Sequence, residues 1–185
     1  MTNRTSNDHL KRLATPVQGF RLVKGKVHST GQYFGGVANG NTKQLYLETP
    51  DSGTYFGITT LSVRTSGEAR IGKAFNPSED TQGGEPDTGI TNKRSGKDGT
   101  PAIVRTGGDN ETGAYSGGDR FSEKGNGSGT GDGGGTTPGG MESSGFINVI
   151  DPGDSLLLEA TNTSGGTLSY ISLDIDWADI PEDDF

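Results

Sequence analysis

The stretch Leu168-Ser169-Tyr170-Ile171-Ser172-Leu173-Asp174-Ile175-Asp176-Trp177 decides the fold class. From Ile171 the apolar residues fall on every second position. Ile171, Leu173, Ile175 and Trp177 therefore share one strand face, and Ser172, Asp174 and Asp176 the other. Strict period-two alternation marks a half-buried antiparallel strand, with one face on a core and one toward water. Trp177 is in phase with the aliphatic residues, so it is expected as a core or interface residue rather than as a surface platform for sugars.

Upstream, Phe146–Ile150 and Ser155–Thr161 read as two further strands, separated by the turns Asp151-Pro152-Gly153 and Asn162-Thr163-Ser164-Gly165-Gly166. Gln44–Glu48, Tyr55–Thr65 and Glu68–Phe75 are joined by Thr49-Pro50-Asp51-Ser52-Gly53 and Ser66-Gly67, which predicts a meander. Pro101–Thr106 is a short strand. Gly19–Val27 and His28–Phe34 read as a first hairpin or a linker strand, and Gly35–Asn41 as turn-rich. The sum is an all-β chain, an antiparallel two-sheet sandwich of jelly-roll type.

Two long loops interrupt it. Residues 76–100 hold Ile90 as their single aliphatic or aromatic residue, and residues 107–140 contain 14 glycines. The predicted division is an N-terminal arm over 1–28, a sandwich over 29–181 carrying both loops, and an acidic tail over 182–185.

Leu, Ile, Val and Phe occupy only 34 of 185 positions, close to the range of disordered chains, but 20 of them lie within 43–75 and 145–181. That clustering favours a compact body with apolar-poor loops. With no Cys, disulfides and thiolate metal sites are excluded. No apolar stretch approaches the ~18 residues of a membrane span. The N-terminus lacks the apolar core of a secretory signal, so synthesis without a signal peptide is expected.

The net charge of −8 is unevenly spread. Residues 1–28 carry Arg4, Lys11, Arg12, Arg21, Lys24 and Lys26 against Asp8, a net +5, whereas the remainder has 10 basic and 23 acidic residues, a net −13. Such acidity opposes nucleic-acid binding by the body and suits solubility at high salt. The contrast makes Arg4, Lys11, Arg12, Arg21 and Lys24 the candidate docking residues for a negatively charged protein surface.

Catalytic chemistry finds little material. The run Gly125–Gly135 is not followed by Gly-Lys-Ser/Thr and lacks a strand-to-helix context, so it is no phosphate loop. It also lacks the nonapeptide period of a calcium-binding β-roll. His9 lies in the polar arm and His28 near a turn, and both are expected on the surface. Glu79/Asp80 and Asp183/Asp184 are adjacent carboxylates in polar segments, whereas a glycosidase needs two facing carboxyls about 5–10 Å apart. No catalytic residue or cofactor is expected. The acidic loops leave room for a structural Ca2+ or Mg2+, with no identifiable ligand set.

The segments Leu45-Tyr46-Leu47-Glu48-Thr49-Pro50 through Tyr55, Val63-Arg64-Thr65-Ser66-Gly67, Asn92-Lys93-Arg94-Ser95, Gly153-Asp154-Ser155-Leu156-Leu157-Leu158 and Thr161-Asn162-Thr163-Ser164-Gly165, with a last strand ending at Trp177, resemble small β-sandwich structural proteins of tailed phages and haloarchaeal tailed viruses. The resemblance covers about 43–178. It departs from that family at Asn92-Lys93-Arg94, at Trp177-Ala178-Asp179 and in an enlarged Gly-rich loop.

The resemblance implies a virion component that is not an enzyme: a capsid decoration or turret protein, trimeric or pentameric, docked on the major capsid protein through its basic arm. Neither a nucleic acid nor a membrane is an implied partner. The alternative is a tail or baseplate module that binds a receptor or host-surface glycans, which predicts aromatic residues such as Tyr115 and Phe121 at an exposed loop tip.

Overall fold

In the computed structural model the alternation at 168–177 lies within a strand of 14 residues. The structure describes residues 26–51, 53–81, 91–92, 100–111, 113–125 and 148–184. In chain order the described strands are β1 (Val27–Val37), β2 (Thr42–Glu48), β3 (Thr54–Thr65), β4 (Ala69–Phe75), β5 (Ser78–Thr81), β6 (Thr91–Asn92), β7 (Ile103–Gly108), β8 (Ala114–Ser116), β9 (Asp119–Gly125), β10 (Asn148–Ile150), β11 (Ser155–Asn162) and β12 (Leu168–Pro181). A single 3-10 turn, Glu182–Asp184, follows.

Strand pairing is nested from the outside in. β1 pairs with β12, β2 with β11, β3 with β10 and β4 with β9, all antiparallel. This is one long hairpin rolled into two sheets, the jelly-roll arrangement that the sequence predicts. The first sheet has the order β10-β3-β12-β1-β6 and the second β7-β2-β11-β4-β9. At the apex of the hairpin, between β4 and β9, the chain inserts β5 to β8. Of these, β6 joins the edge of the first sheet, β7 the edge of the second, and β5 pairs with β8.

The predicted meander is overturned. β2 and β4 share a sheet but are separated by β11, and β3 lies in the other sheet. Turn chemistry fixes where the chain reverses, not which strand it joins. In a rolled hairpin the hydrogen-bonded neighbour comes from the far end of the chain, so short turns carry it across to the opposite sheet.

His28–Phe34 is a strand, as expected, within β1, which runs unbroken from Val27 and continues through Gly35–Val37, where a turn was expected. Residues 19–25 of the hairpin or linker strand, and the arm before them, lie outside the described residues. The loop expected over 76–100 contains β5 and β6, and the one expected over 107–140 begins within β7 and contains β8 and β9. These strands are held by backbone hydrogen bonds despite a shortage of apolar side chains: β6, β7 and β9 pair with strands of the two main sheets, and β5 pairs with β8.

Between the sheets, Phe34, Leu45, Leu47, Phe56, Ile58, Val104, Leu156, Leu158, Ile171, Leu173, Ile175 and Trp177 form one buried cluster. Trp177 is fully buried, as its phase requires. Pairing between β12 and β3 slips from Asp176↔Thr60 to Trp177↔Ile58, leaving Thr59 as the extra residue of a bulge. Beyond it Trp177, Ala178, Asp179 and Ile180 are all buried. The turn before β11 relies on Gly153, whose φ of +82° disfavours other residues. The Thr49 hydroxyl braces that turn, lying 2.7 and 2.8 Å from the carbonyl oxygens of Asp151 and Asp154.

Candidate functional site

Because β12 alternates so strictly, the first sheet presents a regular outer face. Ser29, Gly31 and Tyr33 of β1 stand opposite Asp176, Asp174 and Ser172 of β12, which in turn stand opposite Thr60, Ser62 and Arg64 of β3. Tyr33 is 63% exposed and stacks on Tyr170, with ring centroids 5.6 Å apart and planes 20° from parallel. The same-face neighbours of Tyr33 along β1 are Gly31 and Gly35, and the Tyr33 ring leans over Gly35.

Gly31 has a second effect. A Cβ there would collide with Asp174 Oδ1, so the missing side chain lets that carboxylate lie across β1. Asp174 Oδ2 accepts a hydrogen bond from Ser172 Oγ at 3.3 Å and lies 3.9 Å from the Arg64 guanidinium. One row along, Ser29 Oγ donates to Asp176 Oδ1 at 2.6 Å.

The outer face of the second sheet is covered instead. Tyr46, Ala74 and Leu157 form one row across β2, β4 and β11, and Tyr115 of β8 closes over them as a second small core. The Tyr46 and Tyr115 rings lie 4.5 Å apart, 10° from parallel. Gln44 ties this cover down as a strand would. Its amide donates to Tyr115 O at 2.9 Å and accepts from the Tyr115 N–H at 3.2 Å.

Burial pushes the Tyr46 hydroxyl up to about 12, opposed by a hydrogen bond from Ser155 and reinforced by Glu48 and Glu79. The predicted exposure of Tyr115 at a loop tip is therefore wrong, since only 3% of it is exposed. Phe121 stands in β9, an edge strand, not at a loop tip.

At the Val27 end of the first sheet, His28 is buried rather than on the surface near a turn. β1 runs through it in phase with Thr30 and Phe34, turning it inward onto Trp177, with ring centroids 5.6 Å apart. His28 Nε2 lies 3.0 Å from Asp179 Oδ2. Thr100 Oγ1 donates to Asp179 Oδ1 at 3.1 Å, and Trp177 Nε1 donates to Thr100 Oγ1 at 3.4 Å. The His28 ring is 1% exposed, so this is a polar clasp inside the sandwich, not a base open to substrate.

Of the other sequence-derived candidates, Arg4, Lys11, Arg12, Arg21 and Lys24 lie outside the described residues, as does His9. Their segment joins the body at Lys26, whose carbonyl accepts from the Asp179 N–H at 2.8 Å, beside the end of β12. Glu79 and Asp80 are consecutive on β5, and Asp80 accepts from Ser116 Oγ at 2.7 Å; they do not form a facing pair. Among the described residues no three His, Asp or Glu side chains come together in a group that could hold a metal ion.

The chain matches no family model and no curated protein. The geometry therefore carries the functional reading alone. It adds Tyr33, Tyr170, Asp174 and Arg64, which sequence reasoning missed. A signal for them was present in Gly31-Gln32-Tyr33-Phe34-Gly35: if Phe34 points inward, Tyr33 points out onto a glycine-lined surface.

Proposed function

We propose that the chain is a non-enzymatic virion structural protein of a tailed virus, a capsid decoration or turret protein assembled as a trimer or pentamer. The rolled hairpin carries this reading, because the jelly roll recurs in viral capsid domains and serves there as a rigid building block. One fold hosts many functions, so charge supplies the second support. A basic segment bearing Arg4, Lys11, Arg12, Arg21 and Lys24 is joined to a body of net −13, an arrangement suited to docking on an acidic capsid protein. Repeated copies of such an arm on a symmetric oligomer gain from multivalency. The segment joins the body at the Val27–Ala178 end of the first sheet.

Deleting residues 1–20 tests this directly. The expected outcome is a folded body, by circular dichroism, that fails to enter particles, with the full chain found by mass spectrometry in the head fraction. Normal incorporation of the truncated chain removes the docking role, and absence of the full chain from both heads and tails removes the virion reading. A second reading, a glycan-binding module on a tail or baseplate, is favoured by one observation, the exposed Tyr33–Tyr170 pair.

A further inference from the structure

We infer that the outer face of the first sheet around Tyr33, Tyr170 and Asp174 binds the pyranose rings of a neutral glycan. The inference rests on this face alone and holds wherever on a particle the protein sits. Tyr33 uses one ring face against Tyr170 and is 63% exposed; Gly35 lies beneath its ring, and Gly31, two residues the other way along β1, gives its space to the Asp174 carboxylate. The face of an aromatic ring carries partial negative charge. It therefore attracts the polarised C–H groups on the flat side of a pyranose, and contact frees the water that covered both.

A sugar also needs groups for its hydroxyls, and the adjoining rows supply them. Asp174 stands opposite Gly31, two residues from Tyr33 along β1, and adjacent same-face rows in a sheet lie about 7 Å apart. That separation is close to the width of one sugar ring with its hydroxyls. Asp174 Oδ2 is engaged by Ser172 and Arg64, whereas Oδ1, turned over Gly31, has no hydrogen-bond donor among the described residues. Its side chain is 33% exposed, so an oriented, part-dried carboxylate oxygen is left to accept a hydroxyl in a charge-assisted hydrogen bond. Arg64, 60% exposed, offers donors on the far side of Asp174.

Charge selects the class of glycan. The face carries Asp174 and Asp176 against Arg64, on a body that is itself strongly acidic, which disfavours anionic sugars. A second copy of the chain is a poor occupant. Beside the two tyrosines the rows of this face are glycine, serine, threonine and carboxylate with Arg64, too polar for the apolar centre of a self-contact here, so any assembly of copies uses another surface.

The test titrates the full chain with maltohexaose, cellohexaose and mannohexaose, and with hexagalacturonate as the anionic control. Calorimetry reads affinity, and amide NMR shifts locate the contact. At least one neutral hexasaccharide is expected to bind, moving resonances at Gly31–Gly35 and Tyr170–Asp174. Y33A and D174N should each weaken that binding about tenfold or more, with Y33F retaining most of it.

Four results overturn the inference: no neutral sugar binds, hexagalacturonate binds best, Y33A binds as the parent does, or Tyr33 instead drives dimerisation on light scattering. If Y33A fails to fold, D174N decides the matter on a chain shown folded by circular dichroism. Neither substitution touches residues 1–24, so this outcome is separable from that of particle incorporation.

Discussion

The protein carries two stacked tyrosine pairs, one on the outer face of each sheet, and they meet opposite fates. Tyr46 and Tyr115 lie 4.5 Å apart beneath a cover and are nearly excluded from water, whereas Tyr33 and Tyr170 lie 5.6 Å apart with Tyr33 in the open. Residue type does not separate them. What does is the insertion at the apex of the hairpin, which folds β5 and β8 back over the second sheet. One pair has become core; the other remains available as a contact surface.

Predictions can break or sharpen that contrast. Tyr115→Ala should have the largest effect, about 3 kcal/mol lost in urea unfolding, because it empties the second core and leaves Tyr46 uncovered. A loss below about 1 kcal/mol would mean that the cover contributes little to the fold.

Next comes pH. The neutral Tyr46 phenol is favoured in the folded state, so its contribution is fully present below the unfolded value near 10 and is lost as pH rises toward about 12. The loss should reach roughly 2 kcal/mol, and Y46F should abolish that slope in alkaline denaturation curves. Gln44→Ala, which breaks the amide clasp on β8, should cost about 1–2 kcal/mol and speed hydrogen exchange at the Tyr115 amide. Tyr33→Ala should cost the least, under about 1 kcal/mol by thermal unfolding, since only a cross-strand contact is lost. A cost matching that of Tyr115→Ala would show that the open pair is structural after all.

Much of the sandwich was legible because period two is a local signal. Ile171, Leu173, Ile175 and Trp177 are buried as their spacing demands, and Ser172, Asp174 and Asp176 take the other face. Pairing was not legible in the same way. Ser66-Gly67 says that the chain turns, but the partner of β3 is β12, more than a hundred residues on, and no local pattern specifies that. His28 was misplaced because its burial depends on Asp179 and Thr100, brought to it by the β1–β12 register and the insertion. Tyr115 was misplaced for the same reason. Its burial depends on where β5 and β8 come to rest, a non-local outcome in strands with little apolar content of their own.

Nested pairing also imposes an order of events on synthesis. β12 occupies the middle of its sheet, between β3 and β1, yet it is the last of the described strands to leave the ribosome. Until then β1 and β3 have no shared neighbour, and the interior aliphatic residues of half the sandwich stay uncovered. Folding must therefore wait for contacts of very long sequence separation, which makes it slow and places it after translation of residue 181. A nascent chain at that stage depends on its acidity and sparse hydrophobic content to avoid aggregation.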